Sequence, residues 1–263
     1  MDVIKCGGDS RVVQNFIGLV FCGVFFVTGC SARLFEKPMF YDEEKNPIYI
    51  EDIFEAPEQR KLGSEIIDGD IKKVESLSRK IEDLSFKGLY GITPLWLAVD
   101  CNHMDIVLYL IENGASPSVE VEWVSSIVGT AAEKNPMILK VLIEAGASLT
   151  QESGGFDGLL PIHHAARSDF PESVSLLVDA GVDVNVRSKS GAPPVLMAAA
   201  AKKLDNVILL LEAGADPWIT NAYGGTVVEI LDRVPLNESK RKKAEEIKRL
   251  IGIKSPANKL PNQ

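Results

Sequence analysis

A repeat of 32 to 35 residues constrains this chain more than any other feature of its sequence. Four segments end alike, as LIENGASPSV, LIEAGASLTQ, LVDAGVDVNV and LLEAGADPWI, with their glycines at Gly114, Gly146, Gly181 and Gly214. Sixteen residues before each glycine stands a small residue: Ala98, Thr130, Ala165 and Ala198. A period of this length indicates stacked units, each too small to bury its own apolar face. The middle of the chain is therefore predicted to fold as a repeat array.

A second motif opens the repeats, as GITPLWLA (91–98), GLLPIHHA (158–165) and GAPPVLMA (191–198). Pro94 suits the first turn of a helix, and Thr93 before it can cap that helix. The glycine that ends each repeat can take the left-handed conformation that closes a helix. Together the period and the motif resemble ankyrin repeats, whose pattern is T-P-L-H-x-A. The resemblance implies an all-α repeat protein, an ankyrin-repeat solenoid of about six helix-turn-helix units with short finger loops.

We assign the repeat domain to residues 59–252 and the predicted units to residues 59–88, 89–119, 120–155, 156–188, 189–220 and 221–252. The last unit closes with a charged helix that Asn237 can cap. The third unit departs most from the pattern, because Trp123 replaces a turn glycine and Ser125 and Ser126 replace Thr-Pro. This departure is compatible with a degenerate structural unit or with a surface shaped for a partner.

The N-terminus contains a charge-free stretch of 14 residues, Phe16 to Gly29, which is the length of a signal-peptide core and too short for a spanning helix. It ends in Val27-Thr28-Gly29-Cys30, which resembles the lipobox of bacterial lipoproteins. The resemblance implies a signal peptide at 1–29, a lipid on Cys30 and a mature chain in the periplasm. Ser31 after that cysteine implies anchoring in the outer membrane. The alternative is an uncleaved hydrophobic anchor.

Residues 30–58 are rich in acidic residues and proline and are predicted to be a lipidated tether, within which PIYIEDIF (47–54) can add a short ordered segment to the first unit. Residues 253–263 are predicted to be a flexible tail. Once Cys6 and Cys22 leave with the signal and Cys30 carries lipid, Cys101 has no partner for an intramolecular disulfide.

Catalysis, metal binding and cofactor binding are not expected. His103 and His163 are interpreted as structural residues of the repeats, and no Cys/His cluster has metal-ligand spacing. Asp157, His164 and Ser168 allow a triad to be imagined, but the repeat explains their region without one. Residues 31–233 carry 18 Lys and Arg against 32 Asp and Glu, which disfavours nucleic acid and favours a basic protein surface. We expect no small-molecule substrate.

A protein partner is the remaining expectation, since ankyrin repeats bind proteins through finger tips and inner helices. Candidate residues for this contact are aromatic side chains near the tips and variable positions of the inner helices. They are Tyr90, Trp96, Leu97, Asp100, Trp123, Phe156, His164, Arg167, Met197, Trp218 and Tyr223. The alternative for the aromatic ones is packing against neighbouring fingers.

A lipid-anchored periplasmic ankyrin protein resembles the immunity lipoproteins that neutralise phospholipase effectors of type VI secretion systems. That resemblance implies a one-to-one complex with such an effector. A second hypothesis is a periplasmic scaffold or stabiliser, similar to the ankyrin proteins linked to catalase function. A third is an envelope enzyme or a lipid-handling protein.

Overall fold

The computed structural model describes residues 40–41, 47–48, 50–122, 124–154, 158–221, 224–233 and 237–253. The chain divides into two compact units, which meet between Val124 and Ser125. Outside the repeats, the short strands β1 (Phe40–Tyr41) and β2 (Pro47–Ile48) pair antiparallel. All other elements in the described residues are helical, so the predicted all-α class is confirmed for the repeats.

The first unit stacks two helix pairs. Its helices are α1 (Ile50–Ile53), α2 (Pro57–Asp68), α3 (Ile71–Ser78), α4 (Pro94–Asp100) and α5 (Met104–Glu112). The inner helices α2 and α4 contact each other, as do the outer helices α3 and α5. A short 3-10 helix at Leu89–Gly91 leads into α4. Stacking buries the apolar faces that single repeats would expose.

Part of the predicted tether is folded. Ile53 and Phe54 are buried, and the Phe54 ring meets the Phe86 ring edge-on at a centroid distance of 5.1 Å. A side chain at Gly88 would collide with Phe54, so glycine is needed where the two segments approach. The ordered fold therefore begins by Ile50, earlier than the predicted boundary at residue 59. Burial of an aromatic side chain explains this difference, because Phe54 removes a large apolar area from water.

The second unit stacks four helix pairs. Its helices are α6 (Ile127–Lys134), α7 (Pro136–Glu144), α8 (Pro161–Arg167), α9 (Pro171–Asp179), α10 (Pro194–Ala200), α11 (Leu204–Glu212), α12 (Val227–Arg233) and α13 (Glu238–Ile253). The inner helices α6, α8, α10 and α12 contact in series, and the outer helices α7, α9, α11 and α13 do the same.

The repeat-ending glycines behave as predicted. Gly114, Gly146, Gly181 and Gly214 all have positive φ, between 79° and 98°. The amide of Gly181 donates to the Val178 carbonyl oxygen at 2.9 Å, which closes α9. Nothing lies within 4 Å of a Cβ added at Gly181, so the backbone conformation alone selects glycine here.

In the third repeat, the structure shifts the alignment with the other repeats by one residue from the alignment predicted from sequence. Ser126 caps α6, its Oγ accepting the Gly129 amide at 3.2 Å, so the small residue five positions after the cap is Ala131 and not Thr130. The cause is a shortened turn, because Asn135 alone separates α6 from α7 and caps α7 by accepting the Met137 amide at 2.9 Å. In the next two repeats, three residues connect the inner helix to the outer helix, at 168–170 and at 201–203.

The closing helix α13 is held by burial and by charge. Asn237 caps it, accepting the Lys240 amide at 2.9 Å as predicted, and Ala244, Ile247 and Ile251 are buried. Lys243 pairs with Asp205 of α11, at 2.7 Å to Oδ2. The basic character of this helix is thus partly used within the protein.

Cys101 is disulfide-bonded, and its partner lies outside the described residues. The sequence-based expectation that Cys101 has no partner for an intramolecular disulfide concerns a processed chain without Cys6 and Cys22.

Candidate protein-binding surface

The inner helices of the second unit expose side chains mainly at their C-terminal ends. Ser126, Leu160 and Pro193 are the N-cap residues of α6, α8 and α10, and Thr226 caps α12 by accepting the Glu229 amide at 3.4 Å. The seventh residue after each cap reaches solvent, while the preceding positions of α6, α8 and α10 are mostly buried. These seventh residues are Glu133, Arg167, Ala200 and Arg233.

Three predicted binding residues are core residues, and their assignment to the surface is wrong. Trp96 is 1% exposed, Leu97 is 0% exposed and His164 is 3% exposed. Trp96 stands three residues after the Thr93 cap, the same position as His163 after Leu160. Both are buried because this position of the motif faces the interior. The interpretation of His163 as structural is confirmed.

The remaining described candidates keep some exposure. Trp218 is 43% exposed on a finger, and the side chain of Arg167 is 44% exposed. Tyr90, Asp100 and Met197 are partly buried. Four predicted residues lie outside the described residues: Cys30, Trp123, Phe156 and Tyr223.

A network of polar side chains surrounds His164 and connects two repeats of the second unit. The Ser126 amide donates to Ser153 Oγ at 3.1 Å, and Ser153 Oγ lies 2.7 Å from His164 Nε2. On the other side of the ring, His164 Nδ1 lies 2.8 Å from Glu133 Oε1, which also accepts from Arg167 Nη2 at 2.9 Å. We call these five residues the His164 network.

The network satisfies a buried ring that apolar packing alone would leave unpaired. Glu133 Oε1 accepts from two donors, so His164 Nδ1 donates to it, as Arg167 Nη2 does. A Cβ at residue 129 would lie 2.8 Å from the His164 ring, so Gly129 provides the space for the imidazole.

Burial and neighbouring charge shift two pKa values here. Burial acts to raise the pKa of Glu133, but the charges and hydrogen bonds of His164 and Arg167 outweigh it and lower that pKa to about 2. Burial, followed by the charge of His164, lowers the pKa of His163 to about 4. Glu133 is therefore ionised and His163 neutral at neutral pH.

Ser153, His164 and Glu133 are hydrogen-bonded in the order of a hydrolytic triad. Their surroundings favour a structural role, in which they hold two repeats together. Glu133 is shared with Arg167, the Ser126 amide already occupies Ser153 Oγ, and Ser153 is only 7% exposed. The triad imagined from sequence does not form in the described residues. Ser168 Oγ donates to the Ala165 carbonyl oxygen at 2.9 Å, and Asp157 lies outside them.

Sequence reasoning missed Glu133 and Ser153. The signal for Glu133 was available, because counting seven residues from a Ser126 cap places it at the position of Arg167. The alignment through Thr130 hid that equivalence. Ser153 carried no such signal, since its finger has no counterpart of equal length in the other repeats.

Hydrogen bonds fix the fingers that display Trp218. Arg187 Nη1 donates to the carbonyl oxygens of Gly191, at 2.7 Å, and Thr220, at 3.0 Å, so it ties two successive fingers together. The Trp218 amide donates to Asp216 Oδ1 at 2.9 Å. The backbone at Trp218 is thus fixed and its indole is exposed, as expected of an interface anchor.

Comparison with known proteins identifies the repeats. Residues 128–221 match the family model for ankyrin repeats in three copies, and residues 90–120 match the model for a single ankyrin repeat. The chain contains ankyrin repeats. Within the described residues, no group of three or more His, Cys, Asp or Glu side chains could hold a metal ion. No helix in that part of the chain has the length and apolar character needed to cross a membrane.

Two curated relatives illustrate how widely these ankyrin repeats occur. A B-cell lymphoma 3 protein homolog of Mus musculus is 34% identical over 128 residues, which is 47% of this chain and 29% of that protein. An L-asparaginase of Dirofilaria immitis is 25% identical over 171 residues, which is 65% of this chain and 29% of that protein. The chain therefore spans less than a third of the length of either relative.

Among solved structures, the fold is similar to a chain in the complex of a predatory endopeptidase from Bdellovibrio bacteriovorus with an immunity protein. The TM-score is 0.62 at 21% identity, and the match covers 72% of this chain and 96% of that one. At this identity the likeness shows the ankyrin-repeat fold. The ankyrin repeats support a protein-binding role for the chain.

Proposed function

We propose that this chain is a lipid-anchored periplasmic immunity protein that binds and neutralises a phospholipase toxin delivered by a type VI secretion system. The observation that carries the binding role is an ankyrin unit with fixed fingers, an exposed Trp218 and exposed helix ends at Arg167 and Arg233. Such a surface suits one protein partner, because aromatic and arginine side chains dominate the energies of protein interfaces.

Two further observations support the immunity role. The structurally similar complex from Bdellovibrio bacteriovorus includes an immunity protein, so a protein of that kind occurs in the assembly that shares this fold. The sequence also joins a lipobox-like Val27–Cys30 segment to the repeats. An acyl anchor at Cys30 would concentrate an inhibitor at the membrane where a phospholipase acts.

The test uses a phospholipase encoded beside this gene, directed to the periplasm of a host cell. Cells receive the lipase with the wild-type chain, with Cys30→Ala or with no second protein. We expect the wild type to preserve survival and phospholipid content. Cys30→Ala should lose labelling by a clickable fatty acid and should protect less well.

Binding is measured separately with purified proteins by calorimetry. Trp218→Ala should weaken binding about thirtyfold, the scale of a hot-spot truncation. Met137→Ala is the matched control, because Met137 is 62% exposed but lies on the outer helix α7. A wild-type chain that neither binds the lipase nor lowers its activity would refute the immunity role. A catalase gene beside this one, with binding to its product, would favour the stabiliser hypothesis.

A further inference from the structure

Two arginines occupy equivalent positions on the inner helices of the second unit. Arg167 ends α8 and Arg233 ends α12, each seven residues after the cap, and both are exposed. Between them, α10 presents the small exposed Ala200 at the same position. We call these three residues the arginine row. Because packed helices lie about 8–10 Å apart, the two arginines are separated by about 16–20 Å.

Acidic side chains lie near both arginines. Asp169 pairs with Lys203, and Asp232 pairs with Lys248 at 2.8 Å. Glu133, at the equivalent position of α6, pairs with Arg167 itself at 2.9 Å. The arginine row is therefore defined by two exposed arginines at equivalent positions and not by a patch of net positive charge.

The His164 network holds Arg167 in place. Arg167 Nη2 donates to Glu133, which is itself fixed by the buried His164. This bond uses one donor of a guanidinium that has five, so the planar group keeps donors for a second carboxylate. A pre-oriented arginine loses less side-chain entropy on binding than a mobile one.

We propose that the arginine row binds an acidic segment of the partner protein, with one carboxylate on Arg167, another on Arg233 and the intervening backbone over Ala200. This inference rests on the protein-binding role proposed above but not on the identity of the lipase. The spacing fits two carboxylates about 11 residues apart, which lie on one face of a helix and about 16.5 Å apart at 1.5 Å per residue. Arginine forms paired hydrogen bonds with carboxylates, which makes this group the preferred counterpart.

The first experiment uses a synthetic peptide probe and the full chain in detergent. The probe is an alanine-rich helix with two glutamates about 11 residues apart, three helical turns, and its control carries lysines there. Arginine Nε–Hε signals are followed by NMR and assigned by Arg→Lys substitutions. We expect the acidic peptide to shift the Arg167 and Arg233 signals. Arg187 should not respond, because its Nη1 is bonded to Gly191 and Thr220.

Charge reversal completes this test. Arg167→Glu with Arg233→Glu should weaken binding of the acidic peptide at least tenfold, whereas Arg241→Glu on α13 should have little effect. No shift with the acidic peptide, or an equal shift at Arg187, would overturn the proposal. So would equal affinity for inorganic phosphate or for anionic phospholipid vesicles, because the row would then be a general anion site.

A second experiment separates this inference from the proposed function. The same variants are titrated against the neighbouring phospholipase. Weaker binding by the double charge reversal supports both ideas. Unchanged lipase binding overturns the arginine row but leaves the immunity role standing. If the acidic peptide binds and the lipase does not, the immunity role fails and the arginine row remains.

Discussion

Helices α4 and α8 have the same length and the same start, but their interiors differ. Each is seven residues long with proline in its first turn. At the third and fourth positions after the cap, α4 buries Trp96 and Leu97, whereas α8 buries His163 and His164. One backbone template thus accepts either an apolar or a polar interior. The polar version needs partners, and the His164 network supplies them at hydrogen-bond distances.

The difference teaches that the repeat pattern fixes where a side chain is buried but not how it is stabilised. In α4, stability comes from removing large apolar side chains from water. In α8, both ring nitrogens of His164 are paired, while His163 is neutral and its Nδ1 accepts the Leu160 amide at 3.0 Å. The two helices should therefore respond differently to substitution and to acid.

Placing a histidine in the apolar helix should have the largest effect. Leu97→His removes a fully buried leucine and adds ring nitrogens in apolar surroundings. We expect a loss of about 3–5 kcal/mol in the free energy of unfolding, measured by urea denaturation. Leu108→His on α5 is the control, since Leu108 is 40% exposed and should change stability by less than about 0.5 kcal/mol. Equal losses of stability in the two variants would show that the burial of Leu97 does not determine the cost of the substitution.

Acid should weaken the polar helix next most strongly. The pKa of His163 is lowered to about 4 in the folded chain, so its contribution to stability is complete above pH 6.5 and is lost as the pH falls through 4. The loss should reach about 3 kcal/mol, because the pKa lies about 2.5 below its ordinary value of 6.5. Ionised Glu133, with its pKa lowered to about 2, adds a further loss below pH 4.5.

The measurement is urea denaturation between pH 7 and pH 4. His163→Leu is the matched variant, because α10 carries the buried Leu196 at that position. Its stability should vary less with pH in this range than that of the wild type. Identical pH profiles for the two proteins would rule out His163 as the titrating group.

Removing the acid of the His164 network should cost less than either change above. Glu133→Ala leaves His164 Nδ1 without its acceptor and Arg167 without its partner. We expect a loss of about 2 kcal/mol, the scale of an unpaired buried donor. Glu144→Ala is the comparison, since its exposed pair with Lys140 at 3.9 Å should contribute less than about 0.5 kcal/mol. A similarly small loss in both variants would mean that the His164 network contributes no more to stability than an exposed ion pair.

The smallest loss of stability is expected for the glycines that end the repeats, and it should be the same in the repeat of α4 and in the repeat of α8. Gly114 and Gly181 end equivalent repeats with φ of 90° and 83°. Valine at either site should cost about 1–2 kcal/mol, because a β-branched residue resists positive φ. The two losses, measured by thermal denaturation, should agree closely since the backbone template is common. A large difference would mean that side-chain packing contributes at one of the sites.

Sequence alone located the helix pairs, because their signals are local. Thr93 and Asn237 act within three residues of the amides they cap, and the repeat-ending glycines act through their own φ. Such features depend only on neighbouring residues. The repeat period, the all-α class and the polar closing helix followed from them.

Only the tertiary structure decided which side chains face the interior and how they pair. Trp96, Leu97 and His164 were expected at the surface, but stacking of the repeats buries them. Glu133 meets His164 from 31 residues away, and Ser153 meets it from 11, which no local pattern encodes. The sequence thus determined the repeat, while the register between neighbouring repeats determined its interior, because contacts between repeats depend on the stacking of whole helices.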